Sequence, residues 1–458
     1  MKRVLLVNPW IHDFAAYDFW LKPLGLLYVG RAMEEMGYEV ILIDLLNRHD
    51  PDLPRFTRVP KDKRYGTGKF PSANIEKPDL LKFVPRRYKR YGAPPEYFEW
   101  KLKDIGRVDV IMVTSTLSYW YPGVWETVRF LKERLDAPIV LGGIYPRLFP
   151  EHAKKSGAIV FEKGDLTALP SLLESLGLPS KEVPRDWFEL YDPMYELYER
   201  VGYLVFTTTL GCPYHCTYCA VHRLWRGLRK RSPERVVDCI EKYVELFKVK
   251  DVAFFDDAIL ADTNHFKEIL RLILKRGIKV NFHLPNGIHA RLIDEEIAHL
   301  MRECGFKTIK LGYETTGELQ EKTGGKVFDE DLVKAARILT KTGFTHEEVS
   351  AYILLNLPGQ SVEDALRAVE VCLNEGIDVS LNEYTPIPDT DDWSKLTKSG
   401  KIPPDVDPAL LNNTVLPYWW KHGMSAEDVQ RLKRIVQERR LSTLKACKGS
   451  PQLSDQTG

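Results

Sequence analysis

The sequence predicts an α/β protein: a five-stranded parallel sheet at the N-terminus, then a partial barrel of six strand–helix units, then a small, mostly helical region. Two observations carry this. Short β-branched runs alternate with helical patterns over the first 180 residues, and the alternation returns over residues 201–390 with glycines closing the helices. A third is size, because 458 residues suffice for two cores and a small third. Hydrophobic residues at 44% and charged ones at 28% describe an ordinary globular protein. A net charge of +1 gives no global attraction to nucleic acid or to a membrane surface. No apolar run approaches the roughly 20 residues that a membrane helix needs.

The first strand is Val4-Leu5-Leu6-Val7, a run suited to burial on both faces, and it ends at Asn8-Pro9. A helix follows from Leu24 to Met36 and stops at Gly37. The other strands are Tyr38 to Asp44, Val108 to Thr114, Pro138 to Leu141 and Ala158 to Phe161, with helical patterns at about 123–135 and 166–177. Five such strands make a flavodoxin-like (Rossmann-like) domain over residues 1–180. Its ligand site is expected beyond the carboxyl ends of the strands. There stand Thr114, Ser115, Leu117, Tyr119 and Trp120 after the third strand, and Gly142, Gly143, Ile144 and Tyr145 after the fourth. Paired glycines let a bulky ligand approach the backbone, while the aromatics suit domain-interface packing equally well.

An insertion at about 47–100 is rich in Pro, Gly, Tyr and basic residues and ends in Arg86-Arg87-Tyr88-Lys89-Arg90-Tyr91. It reads as a solvated face or as a patch for an anionic substrate or phosphate. Tyrosines among basic residues also suit single-stranded RNA, but one such segment in a neutral protein argues against nucleic acid. Residues 181–200 have prolines and aromatics without a clean period and read as a packed linker.

In the second half the strands are Leu204 to Thr209, Asp251 to Phe255, Lys279 to His283, Lys307 to Leu311, Val349 to Leu354 and Ile377 to Leu381. Helices between them end at Gly277, Gly305, Gly343 and Gly376, the residue that best tolerates a left-handed cap. Beyond the strand ends stand polar residues that a core would reject: Asp256-Asp257, Asn286, Arg291, Glu314 and the Asn356-Leu357-Pro358-Gly359-Gln360 loop. Asp256 also suits a cap for the helix starting near Asp262. Residues 391–458 form a lid and helix, with Ser425 and Asp428 as a capping box. Tyr418, Trp419 and Trp420 either pack that lid onto the barrel or line a substrate pocket. The tail after Cys447 is expected to be disordered.

The chemistry centres on Cys212, Cys216 and Cys219, spaced Cx3Cx2C just after a strand. Thiolates gathered this closely repel one another and need a cation. Three of them suit a 4Fe-4S cluster with one iron left open for chemistry. A structural zinc site would add His215 or His222, but zinc pairs usually repeat as a second Cx2C, and Cys239, Cys304, Cys372 and Cys447 stand singly. Seven cysteines are too few, and odd in number, for a disulfide framework, and no secretory signal is visible, so a reduced, cytoplasmic protein with one cluster is expected.

Cx3Cx2C with an aromatic before the last Cys, here Tyr218, resembles the cluster loop of the radical S-adenosylmethionine (SAM) enzymes. The resemblance implies SAM on the open iron, with Tyr218 near the adenine and Asp256 or Asp257, Asn286, Arg291, Glu314, Leu355, Pro358 and Gly359 around it. The Asp256-Asp257 pair departs from the commoner GGE of that family. In the domain before it, Ser115-Thr116-Leu117 and Gly142-Gly143 resemble the SxL and GG pair of cobalamin-binding domains. That implies a cobalamin pocket made by Thr114, Ser115, Leu117, Tyr119, Trp120, Gly142, Gly143, Ile144 and Tyr145, with Pro9 and Trp10 from the first loop. The family's DxHxxG is absent, which implies cobalamin bound base-off with no histidine on cobalt, His12 being a loop residue. The two resemblances together imply a 5'-deoxyadenosyl radical that removes a hydrogen atom from an unactivated carbon, followed by methyl transfer from methylcobalamin. Related enzymes cyclise or rearrange instead, and a cluster- or cobalamin-binding sensor is a third possibility. An external electron donor such as flavodoxin or ferredoxin is implied. The substrate, a small molecule, lipid or peptide, is not legible.

Overall fold

The computed structural model describes residues 2–449, with side chains as far as Arg439. Strands β1 (Arg3–Asn8), β2 (Glu39–Asp44), β3 (Val110–Val113), β4 (Ile139–Leu141) and β5 (Ile159–Val160) form one parallel sheet in the order β5-β4-β3-β1-β2. Val4 is the register point, opposite Val40 on one side and Val110 on the other. Both faces are covered, so Val4 to Val7 are all fully buried. The reversal of strand order between β1 and β3 opens a crevice at their carboxyl ends.

A second parallel sheet of six strands runs in chain order: β6 (Leu204–Phe206), β7 (Asp251–Phe254), β8 (Asn281–His289), β9 (Phe306–Glu314), β10 (Val349–Leu355) and β11 (Asp378–Glu383). Thr209 leaves the expected first strand and pairs with Lys230 in a small antiparallel hairpin. Strands β8 and β9 are longer than the pattern implied. The register of β8 shifts between Leu284 and Ile288, so Asn286 lies inside the strand on a bulge rather than after it. Glu314 closes β9 with φ 71°, a left-handed conformation rare for a residue with a side chain. The four expected cap glycines all have positive φ.

The two sheets are locked together by what the sequence presents as loops. Trp20 stacks on His283 with ring centroids 4.5 Å apart, and its indole donates to the Tyr65 carbonyl at 3.0 Å. His283 in turn bonds Asp251 near the amino end of β7. The first loop and the insertion thus fill the interior of the open barrel near its base. The insertion is accordingly no simple solvated face. Arg48 is buried against Asp18 at 2.8 Å, Tyr88 and Tyr91 are core residues, and Arg90 pairs with Glu126 at 2.8 Å. Only Arg86 and Arg87 of the basic run are exposed.

The linker packs between the sheets, with the Tyr198 hydroxyl donating to Asp44 at 2.6 Å and Tyr195 bonding the backbone of Val205. The C-terminal segment spans both halves: Asn412 donates to Asp13 at 2.9 Å, Tyr121 donates to Asp407 at 3.1 Å, and the backbone N–H of Asp392 donates to the Thr217 carbonyl at 3.0 Å. Trp420 is buried with Leu357, Tyr384 and Leu416, and Trp419 donates to the Leu410 carbonyl, so these aromatics pack the lid. A terminal helix runs over Ala426–Gly449; the remainder of the predicted tail lies outside the described residues.

Trp20→Ala should remove the plug between the halves. Losing a buried indole costs about 3–5 kcal/mol, and the melting temperature of the variant should fall well below that of Trp20→Phe, which keeps the ring.

Candidate functional site

The cysteine loop leaves β6 through Thr207-Thr208-Thr209, and a buried carboxylate fixes its entry. One oxygen of Asp256 accepts from the backbone N–H of Thr208 at 2.9 Å and of Thr209 at 2.6 Å, and from their hydroxyls at 2.7 and 2.8 Å. The other oxygen is buried without a partner. Burial pushes this acid up to about 6 despite the four donors. Asp256 therefore anchors the loop and does not face the site, and the helix beyond is capped by Asp262 instead. Gly211 has φ 89°, and a Cβ there would lie 2.1 Å from the Gly227 carbonyl. From the other side the Thr217 N–H donates to the Thr323 carbonyl at 3.2 Å, and a Cβ on Gly324 would meet the His215 carbonyl at 2.8 Å.

The loop so held presents Cys212, Cys216 and Cys219, half-buried and free of disulfides, to a cavity of about 370 Å³. Tyr218, Asp257, Asn286, Glu314, Lys326 and Tyr352 complete its polar wall. Burial raises all three thiols, Cys219 to about 11, so thiolate ligation requires a cation to offset the desolvation. Asp257 accepts from the Gly211 N–H at 3.1 Å and is itself raised by desolvation. Glu314 is raised for the same reason, with only the Lys326 ammonium at 3.7 Å to balance it. Asn286 donates to the Asp256 carbonyl at 3.0 Å. A donor set of three free thiols with under-compensated carboxylates beside them fits an iron–sulfur cluster carrying a small cationic ligand.

Four expected residues stand elsewhere. Arg291 is exposed on the turn after β8, Leu355 points into the core, and Pro358 and Gly359 lie outside the cavity wall. Alternation along β10 explains Leu355: Val349, Ala351, Ile353 and Leu355 share the buried face, which leaves Tyr352 and Leu354 facing inward. Asn382 of β11 and His289 of β8 also line the cavity. His289 packs on Tyr214 with centroids 4.0 Å apart, and burial beside Lys326 and Arg291 pushes its imidazole down to about 3.

A second cavity of about 270 Å³, largely apolar, lies where the carboxyl ends of β3 and β4 meet those of β6 and β7. Thr114, Gly142 and Gly143 form one wall and Trp225 and Phe255 another, while Asp257 lines both cavities. Gly143 has φ 96°, and a Cβ there would be 2.2 Å from the Ser115 carbonyl. Ser115 supports this turn, its hydroxyl donating to the Gly142 carbonyl at 2.9 Å and its carbonyl accepting from Ile144 at 3.0 Å. The remaining expected residues are outside the wall. Pro9 and Trp10 are buried, with Trp10 edge-on to Phe98 and Phe130 and its indole donating to the Ala93 carbonyl at 2.6 Å. Leu117 is 40% exposed, Trp120 donates to Asp13 at 2.6 Å, and Tyr145 is buried against His152. Tyr119 sits near Asp13 and Glu383, and His12 is paired with Glu126 at 2.5 Å.

Residues 206–372, from β6 to the helix before β11, match the model of the radical SAM superfamily. These residues form a radical SAM domain. Among relatives of the enzyme, cytidylyl-2-hydroxyethylphosphonate methyltransferase of Streptomyces wedmorensis is 22% identical over 484 aligned residues, covering 88% of this chain and 83% of that protein. The anaerobic magnesium-protoporphyrin IX monomethyl ester cyclase of Rubrivivax gelatinosus is 29% identical over 194 residues, 41% of this chain and 33% of the cyclase. Of solved structures, the radical SAM methyltransferase TsrM from Kitasatospora setae, with cobalamin and a [4Fe-4S] cluster bound, superposes with TM-score 0.61 at 20% identity, covering 87% of this chain and 78% of TsrM. That likeness is one of fold.

Within this radical SAM enzyme the titration of Asp256 is measurable. An acid whose pKa is raised on folding contributes stability at low pH and loses it as pH rises through the folded pKa. Between pH 4 and 6.5 the native chain should therefore lose on the order of 2–3 kcal/mol relative to Asp256→Asn, read as a converging difference in melting temperature.

Proposed function

We propose that the enzyme is a cobalamin-dependent C-methyltransferase acting on an unactivated carbon. The observation that carries this reading is the pair of cavities meeting at Asp257, one with three cysteines and a polar cradle, the other apolar and beneath glycines of the first sheet. When bound, a 4Fe-4S cluster and SAM supply reductive cleavage to a carbon-centred radical and cobalamin supplies a methyl carrier. Cys212, Cys216 and Cys219 would hold three irons. Asp257, with one oxygen on the Gly211 N–H, turns its charge toward an ammonium, and Glu314 and Asn286 offer partners to hydroxyl or amino groups farther into the barrel. Tyr218 supplies a flat, half-buried face at the mouth. Thr114, Gly142 and Gly143 leave the backbone of the first sheet open and would hold the corrinoid there, while His12 is turned away to Glu126 and would not reach it. The C-terminal segment is pinned to both halves and ties them together beside the cavities. The electron comes from an external flavodoxin- or ferredoxin-type donor.

The similarity to a cyclase favours one second reading, radical cyclisation or rearrangement with the same cofactors. A sensor without turnover has no use for the carboxylates beside the cysteines.

Anaerobic reconstitution should give about four irons and one cobalamin per chain. Dithionite and SAM should then yield 5'-deoxyadenosine, and Cys216→Ala should abolish it. Asp257→Asn should weaken SAM binding about tenfold or more, the loss of one charged hydrogen bond. With methyl-deuterated SAM the label should enter the substrate; deoxyadenosine with an unlabelled, rearranged product would support the second reading, and bound zinc in place of iron would overturn both.

A further inference from the structure

Two charged side chains line the largely apolar cavity, Asp257 and Arg147. Arg147 stands between the turn at Gly142-Gly143 and the barrel. Its guanidinium donates to the Leu224 carbonyl and lies 5.2 Å from the centre of the Trp225 ring. Among the described residues it makes no ion pair. Asp165, the acid whose charge reaches it, is already engaged by Arg229 at 2.9 Å, by the Thr167 N–H at 3.0 Å and by the Trp187 indole at 3.2 Å. Burial accordingly lowers the Arg147 pKa below its ordinary value. The placement is built rather than incidental. Gly164 has φ 64°, and a Cβ there would lie 2.5 Å from the Arg147 Cδ, so the chain closes directly over the stem. A guanidinium has five donors in a planar fork, and a half-buried one without a paired carboxylate is matched to an anion that arrives from outside.

The anion must suit a cavity that is apolar apart from Thr114, Thr207 and Asp257, aromatic on the barrel side and free of side chains at Gly142 and Gly143. A phosphodiester carrying a flat heterocycle has that combination. We propose that Arg147 and Trp225 clamp the nucleotide tail of the corrinoid, the guanidinium binding the phosphodiester oxygens and the indole forming the wall against the base. The proposal rests on the cobalamin reading above and adds a consequence to it. Trp225 closes the short helix Val221–Leu224 that follows Cys219, so the tail of one cofactor is held by the segment leading out of the other cofactor's loop.

The test compares two corrinoids that differ only below the ring, hydroxocobalamin and tail-free cobinamide, by equilibrium dialysis with absorbance detection and no turnover. The unaltered chain should bind cobalamin the more tightly. Arg147→Met should reduce the cobalamin-to-cobinamide affinity ratio about tenfold or more, the worth of a charge-assisted hydrogen bond, and Trp225→Leu should reduce it in the same direction. A variant damaged only in folding weakens both corrinoids alike and leaves the ratio intact. Should Arg147→Met fail to fold, Arg147→Gln, which keeps a donor for Leu224 without the charge, reads the same ratio. An unchanged ratio in the variants overturns the clamp alone; uptake of neither corrinoid by the unaltered chain overturns the cobalamin reading and the clamp with it.

Discussion

A carboxylate buried at the end of a strand must find donors, and Asp256 finds four of them on the two threonines that lead into the cysteine loop. That cluster of bonds ties β6 to β7 at the point where both open onto the site, and it sets the direction in which the next residue points. Asp257, one step along the chain, is thereby turned into the void between the sheets, where it lines the polar and the apolar cavities together. A pair of acids at adjacent positions thus divides into one that builds the loop and one that faces the cavities. The anchoring role is not available to a Gly-Gly-Glu turn, because the carboxylate that holds the two threonines would be missing.

The same division between building and facing recurs on the other sheet. Ser115 supports the turn at Gly143 while Thr114 and the glycines face the cavity, and the large aromatics around them are spent on structure. Trp10, Trp120 and Tyr145 each satisfy a polar group within the protein and so hold the sheet ends in shape. The partial barrel needs closing as well, and Trp20, Tyr65 and the C-terminal segment close it from below and above. Both cavities therefore depend on segments distant in sequence.

Much of this is legible in the sequence because buried parallel strands write themselves as short apolar runs. All eleven strands of the two sheets fall on predicted runs, and the cysteine spacing places the loop. What escapes the sequence is direction. Nothing distinguishes Asp256 from Asp257 until the threonine donors are in space, and a bulge in β8 moves Asn286 into the strand. Alternation along β10 would have replaced Leu355 with Tyr352 and Leu354, the residues on the inward face. Lys326 and His289 carry no local signal, since each reaches the cavity only through the packing of its element against the cysteine loop. The aromatic residues of the first domain mislead for a related reason: an aromatic after a parallel strand serves a ligand or a domain interface equally well, and here the interface takes most of them.

The proposed cofactors would sit in adjoining cavities with Asp257 in the common wall. Electron paramagnetic resonance of the reconstituted enzyme tests this placement directly, with the cluster reduced and the corrinoid held as cob(II)alamin. The account predicts that the two spins broaden and split one another through a short-range magnetic interaction, which disappears when Cys216→Ala removes the cluster. Two independent, unbroadened signals would place the corrinoid away from the cluster cavity and contradict the account.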